Sequence, residues 1–325
     1  MGWVANNDFY TAGKNLYRTS VSLSRSMEKS FAHLNDQARS IVNRIAAETG
    51  QQDVLRAILT SDESTRIYRE SFVEDDTENL FSPVNRSVQD YFKRSLQRFY
   101  KLYLCDAIAR RLPTVSLSEL SPMVCGEEAP YPQGDEKTVA FLRNMQASRA
   151  FEYFAGALGG VSAVYESNFL NACESVYMGQ ATYAIIPIYS AVDGRLGSFY
   201  RQIEKYELSI LLTCDIDFDD GENTTTFALL YKDRLYPQAQ GRPLYECKIT
   251  FDHADCIADI ADAASYFGVQ INSMDALPSV FSGRTNTYAI VFDLQDADMV
   301  GFFTYLALEY PQTAAIGLYR KLSRS

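Results

Sequence analysis

Val139-Ala140-Phe141-Leu142 opens the stretch that decides the fold, and similar apolar runs follow it at intervals. They are Val161–Val164, Tyr183-Ala184-Ile185-Ile186-Pro187-Ile188 and Leu208–Ile216. Between them lie segments with helical spacing: one through Phe151 and Phe154 to Leu158, one from Ser167 to Met178 with Gly179 as its stop, and Leu196–Tyr206. Short apolar runs alternating with helical segments predict a mostly parallel sheet covered by helices. Ligands of such sheets sit beyond the carboxyl ends of the strands, which points to the loops after Leu142, Pro187 and Ile216.

Downstream, residues 245–320 read β-α-β-β-α-β, a ferredoxin-like order. The expected strands are Tyr245–Phe251, Val269–Asp275, Tyr288–Leu294 and Thr313–Arg320, with helices at Ala254–Tyr266 and Ala297–Glu309. Upstream, the period is helical throughout. Leu34, Ala38, Ile41 and Ile45 mark a helix from Asp8 to about Thr49 with Gly50 as its stop. Asp53 caps a second helix reaching about Ser71, and a third carries Val88, Phe92, Leu96, Phe99, Tyr103 and Ile108 until Pro113. Arg39, Arg44, Arg56, Arg66 and Arg69 lie on these helices, either as a clamp for a dicarboxylate or as solvated faces.

Charge marks a boundary between these regions. Residues 1–115 carry a balance of +2 and the remainder −13, within a total of −11 over 325 residues. The change falls in a stretch rich in proline and serine from Pro113 to Gly134, which reads as a linker. The expected organisation is therefore multidomain, α followed by α/β. An all-α domain spans 1–112, a linker 113–137, a single α/β lobe 138–244 and a ferredoxin-like domain 245–325.

Composition closes several function classes. An acidic chain repels phosphate backbones and anionic lipid surfaces, so neither nucleic acid nor membrane is expected as a partner. No run reaches the roughly 18 apolar residues of a membrane span. The first residues lack a basic stub leading into an apolar core, and a cytoplasmic location is expected. Six scattered cysteines without a C-x-x-C pair read as free thiols. Two histidines, His33 and His253, leave little room for histidine-based triads or zinc sites. Asp215, Asp217, Asp219, Asp220 and Glu222 suggest a calcium loop, but Gly221 comes one place late and Thr226 stands where glutamate is needed. An acidic turn is expected there, with neither metal nor cofactor.

The order Val139-Ala140-Phe141-Leu142, Tyr183-Ala184-Ile185-Ile186-Pro187-Ile188, Asn223-Thr224-Thr225-Thr226-Phe227 resembles prephenate dehydratase, whose lobe has a periplasmic-binding-protein-like fold. Val269-Gln270-Ile271-Asn272-Ser273-Met274-Asp275-Ala276-Leu277-Pro278 and Ile316-Gly317-Leu318-Tyr319 resemble the ACT domain that follows it. The long-short-long helices in front are similar in layout to the chorismate mutase domain of bifunctional members. The resemblance implies Thr225 and Phe227 as catalytic positions. It implies Ser190, Asn223 and Asp275 as ligand-binding positions, a small carboxylate or aromatic amino acid as ligand, and a homo-oligomer formed through the ACT-like domain.

The departures from that pattern carry the functional expectation. Thr226 replaces the family's arginine, and Arg143-Asn144-Met145-Gln146-Ala147-Ser148-Arg149 replaces its glycine-containing anion loop. Tyr189-Ser190-Ala191 stands at its E-N-S position, and Asp255-Cys256-Ile257 at the ACT loop G-A-L. A second lobe, which in the family precedes the threonine strand, has no counterpart. The expectation is a non-catalytic relative with a binding, regulatory or assembly role. The alternative is an active dehydratase or mutase of phenylalanine biosynthesis.

Overall fold

The computed structural model describes residues 7–50, 53–72, 86–126, 137–192, 194–196, 198–217, 224–251, 256–277 and 286–323. The chain forms two compact units, Met1–Pro113 and Thr114–Ser325.

The first unit is helical. Helix α1 spans Asn7–Thr49, and Leu34, Ala38, Ile41 and Ile45 on one stripe of it are buried, as their spacing predicts. The second expected helix is two helices, α2 (Val54–Thr60) and α3 (Asp62–Glu70). Ser61 makes the break. Its extended backbone donates to the carbonyl of Ala57 at 3.0 Å, closing α2, while its hydroxyl accepts from the Glu63 N–H at 3.2 Å, opening α3. Helix α4 runs from Arg86 to Ala109 and packs along α1.

The second unit begins with a helix inside the stretch that reads as linker, α5 (Leu117–Cys125). Glu119 accepts from the Ser116 N–H at 2.7 Å, a reciprocal cap strong enough to start a helix in proline-rich sequence. Pro122 sits inside this helix. There it removes one backbone donor, which is why the segment reads as loop.

From there the elements are β1 (Lys137–Leu142), α6 (Met145–Leu158), β2 (Val161–Glu166), α7 (Phe169–Tyr177), β3 (Tyr183–Ser190), β4 (Gly194–Arg195) and α8 (Ser198–Lys205). Strands β5 (Ser209–Asp217) and β6 (Thr224–Tyr231) follow, then β7 (Arg242–Phe251), α9 (Cys256–Tyr266), β8 (Gln270–Ala276), β9 (Asn286–Asp293), α10 (Met299–Glu309) and β10 (Ala314–Lys321). Gly159 and Gly179 end α6 and α7 at φ of 66° and 72°, conformations that cost a Cβ-bearing residue free energy.

The strands join one mixed sheet in the order β2-β1-β3-β6-β5-β10-β7-β9-β8, with the two-residue β4 paired to β3 off this path. Among the described residues β1–β2, β1–β3 and β5–β10 pair in parallel, and the other pairs are antiparallel. The expectation of a mostly parallel sheet is corrected here. Asp217 and Thr224 are ladder partners, so the six residues between them close an antiparallel hairpin and leave no length for a crossover. A shift in the β3–β6 ladder falls between Pro187 and Tyr189, next to the residue that has no N–H to give.

Residues 245–325 show the β-α-β-β-α-β order, with strands arranged β10-β7-β9-β8. These strands continue the sheet of residues 137–231. The join is short: Arg320 and Lys321 pair with Leu212 and Thr213, and the Leu322 N–H reaches the Thr213 carbonyl at 2.8 Å. One apolar cluster crosses the join, from Ala140, Ile186 and Leu230 to Leu244, Val291 and Tyr319, covered by Phe199, Tyr200 and Ile203 of α8. Glu246 of β7 lies beneath α8 with no solvent exposure. Tyr200 donates to its Oε1 at 2.6 Å and Tyr319 to its Oε2 at 2.8 Å. This pins α8 to the ferredoxin-like strands. The opposite face is covered by α6, whose Ala147, Ala150 and Phe154 pack on Val139, Phe141, Ile185, Cys214, Phe227 and Leu229.

Candidate functional site

Thr225 lies near the start of β6, between Ser190 at the end of β3 and Ile216 near the end of β5. Direct cross-strand partners stand about 5 Å apart and share a face. The sheet therefore brings two of the expected site residues, Ser190 and Thr225, side by side at the carboxyl ends of β1, β3 and β5. Thr225 is 7% exposed. The Ser190 hydroxyl accepts from the Val192 N–H at 3.2 Å and shapes the turn toward β4.

A cation reaches the same edge. Arg149, in the second turn of α6, donates from Nη1 to the carbonyl of Asp217 at 3.3 Å, one residue along β5 from the partner of Thr225. Sequence reading placed Arg149 only in a stretch that departs from the family's anion loop. The signal that finds it is α6 itself: Asn144 caps the helix through a 2.8 Å bond from the Ala147 N–H. That cap sets Arg149 one turn in, on the side where α6 packs over β5. The Ser190 and Thr225 positions and the Arg149 guanidinium thus lie at the same strand ends, beneath α6.

The neighbouring positions face the other way. Thr226, where the family's arginine falls, donates to Asp215 Oδ1 at 2.7 Å, and Thr224 donates to Asp217 Oδ1 at 2.7 Å. Lys321 binds Asp215 Oδ2 at 2.7 Å, so the nearby positive charge on this face is matched by a carboxylate. Phe227 is 1% exposed and packs beneath α6 with Cys214 and Leu229, a core position rather than a substrate-facing one.

Asp275 is not part of this group. It lies on β8, an edge strand of the sheet, five strand spacings or about 24 Å from β6. Its Oδ2 and the Ser273 hydroxyl are buried there without a hydrogen-bond partner. Asn223, Asp255 and the acidic turn 218–222 fall outside the described residues.

Four of the five helical arginines, Arg39, Arg44, Arg56 and Arg66, lie against carboxylates. Arg44 bonds Glu48 at 2.7 Å and Glu70 at 2.8 Å, and Arg66 bonds Glu48, Glu63 and Glu70. Arg39 lies 3.7 Å from Asp36, and Arg56 lies 4.0 Å from Asp53. Hydrogen bonds from Arg66 hold Glu63 below its ordinary value, and bonds from Arg44 and Arg66 do the same for Glu70. Such a cluster ties α1 to α3 and has its positive charge already matched.

Among the described residues no group of histidines, cysteines and carboxylates can hold a metal ion, and no helix is long and apolar enough to cross a membrane. Cys105, Cys125, Cys173, Cys214 and Cys247 are buried free thiols. Burial pushes Cys173 and Cys214 up to about 12, which removes them as nucleophiles at neutral pH.

No family model and no curated protein matches the chain. Solved structures to which the chain is similar include prephenate dehydratase from Streptococcus mutans, at 13% identity and TM-score 0.48, covering 57% of this chain and 100% of that one. GqqA, described as a novel type of quorum quenching acylase, is 14% identical with TM-score 0.46, covering 56% of this chain and 94% of that one. Prephenate dehydratase in complex with L-Phe from Arthrobacter aurescens is 15% identical with TM-score 0.44, covering 56% and 90%.

Proposed function

We propose that this protein is a diverged, non-catalytic relative of the bifunctional chorismate mutase/prephenate dehydratase, with a binding, regulatory or assembly role in aromatic amino-acid metabolism. Its ligand is a small carboxylate held at the edge formed by Ser190, Thr225 and Arg149. The observation carrying this reading is the β5–β6 hairpin. Asp217 and Thr224 are ladder partners, so the place where the resemblance calls for a second lobe holds six residues. Loss of carbon dioxide and hydroxide from prephenate calls for groups on both sides of the ring, positioned before the bonds break. A sheet edge with one hydroxyl pair and one guanidinium supplies one side.

Binding without turnover is the consequence. Residues 245–325, the ACT-like part, supply the assembly surface for a homo-oligomer in this reading. The test is calorimetric titration of the full chain with prephenate, chorismate and phenylpyruvate. Saturable binding is expected for at least one of them, weakened tenfold or more by Arg149→Gln and by Thr225→Ala while circular dichroism stays unchanged. Affinities untouched by either substitution would remove this edge as the site.

A further inference from the structure

Gln146 lies in the first turn of α6, just after the Asn144 cap, and its amide nitrogen is buried with no hydrogen-bond partner. Helix geometry places it. Ala147, Ala150 and Phe154 face the sheet. Gln146 and Arg149 share one flank beside them, and the bond from Arg149 to the Asp217 carbonyl turns that flank toward β5. The opposite flank looks toward β2, with Phe151 stacked on Phe141 at 5.1 Å and Phe141 edge-on to Tyr165 at 5.3 Å. Thr225 stands on the same face of β6 as Phe227, the face that α6 covers. The side chains of α6 lean toward its start, where β1, β3 and β5 end. Gln146 is thereby set at the strand ends that carry Ser190 and Thr225. A buried amide hydrogen without an acceptor costs free energy, and the chain supplies no acceptor for this one. The carboxylates of Asp215 and Asp217 accept instead from Thr226 and Thr224, on the other face.

We propose that Gln146 is a specificity-determining residue of this edge, donating from Nε2 to an uncharged oxygen that the ligand carries beside its carboxylate. The inference rests on the reading of the edge as a carboxylate site and adds what the ligand must hold. Arg149 answers the carboxylate charge. The amide of Gln146 carries no charge and its nitrogen only donates, so the atom that completes it is a carbonyl or hydroxyl oxygen. An acid whose remaining atoms are hydrocarbon leaves the amide as unpaired as before, and an ammonium in that place sets donor against donor. Such a residue discriminates strongly, because the wrong ligand covers the polar group without bonding it. An acid with an oxygen acceptor is therefore preferred over the hydrocarbon acid of the same carbon skeleton.

The test is calorimetric titration of the full chain with phenylpyruvate and with 3-phenylpropionate, which has the same carbon skeleton without the keto oxygen. Phenylpyruvate should bind about tenfold more tightly or better. Gln146→Met keeps length and helix propensity but donates nothing. It should abolish that preference and melt at or above the temperature of the parent, since it removes an unpaired donor. Gln146→Glu, favourable in a first helical turn, accepts without donating and should lose the preference as well. Absence of any preference in the parent overturns the proposal, as does an undiminished preference in folded Gln146→Met. A lower melting temperature for Gln146→Met does so too, because it would mean that the amide is already paired. Arg149→Gln separates this inference from the reading beneath it. Binding of phenylpyruvate that Arg149→Gln weakens and Gln146→Met does not refutes the role of Gln146 alone. Binding that neither substitution weakens removes the edge as the site, and both statements with it.

Discussion

Replacing Tyr200 by phenylalanine removes one hydroxyl and leaves the ring in place. The lost bond is the 2.6 Å donation to Oε1 of Glu246, a side chain without solvent exposure in the middle of the sheet. It runs from a hydroxyl to a buried carboxyl group, and its loss costs about 1–3 kcal/mol. For a unit of this size, residues 114–325, each kcal/mol lowers Tm by about 2–4 °C. Tyr200→Phe should therefore melt about 2–12 °C lower by far-ultraviolet circular dichroism. Tyr319→Phe, which removes the 2.8 Å donor to Oε2, should behave alike. Because both act on one carboxyl group, the double variant should depart from additivity. Adding Glu246→Leu to the double variant removes the acceptor together with its donors and should recover much of the loss. Melting of either single variant within about 1 °C of the parent would refute the reasoning, because it would mean that the Glu246 bonds contribute nothing net.

In the helical unit, Glu63 and Glu70 are held below their ordinary value of 4.5 by Arg66 and Arg44. A depressed carboxyl stabilises the fold above its unfolded value, and that stability is lost as pH falls through the folded value. Unfolding of the unit monitored against pH should show a decline beginning near pH 4.5 that Arg66→Gln diminishes. With Cys173 and Cys214 raised to about 12, native protein at pH 8 should react with a thiol reagent at those positions only as fast as it unfolds. Phe227→Ala should cost about 3–5 kcal/mol of stability, measured by denaturant titration, since Phe227 fills the core beneath α6. An effect of that variant on ligand affinity alone, with stability intact, would return Phe227 to the site.

Much of the element order is legible from local pattern, because burial follows period. Leu34, Ala38, Ile41 and Ile45 recur at helical spacing and are all buried. Each expected strand between Val139 and Arg320 lies within, or shifted by a residue or so from, an observed one. What periodicity does not encode is strand direction and pairing. The β5–β6 hairpin follows from a connection length, and length was the available signal. The join of β10 to β5 rests on two ladder pairs between residues more than one hundred apart in sequence, and no local pattern announces it. Helix breaks and starts that depend on one serine, at Ser61 and Ser116, escape a reading based on apolar spacing.

The site divides in the same way. Ser190 and Thr225 were placed by motif order, and strand register makes them neighbours. Asp275 belongs by motif to the ACT-like part, and five strand spacings separate its strand from β6. Arg149 could not be read from its sequence position, because only the packing of α6 over β5 brings a helical arginine to the strand ends. The helical arginines illustrate the converse. The partners of Arg44 and Arg66, Glu48, Glu63 and Glu70, come from different turns and helices, so cations scattered in sequence form a matched cluster in space.

The most direct measurement is a prephenate turnover assay on the purified full chain, following phenylpyruvate by its absorbance while binding is measured in the same preparation. A lobe with one wall should bind a carboxylate at Ser190, Thr225 and Arg149 and release no phenylpyruvate above the spontaneous rate. Phenylpyruvate formation that scales with protein concentration and disappears in Thr225→Ala would contradict it.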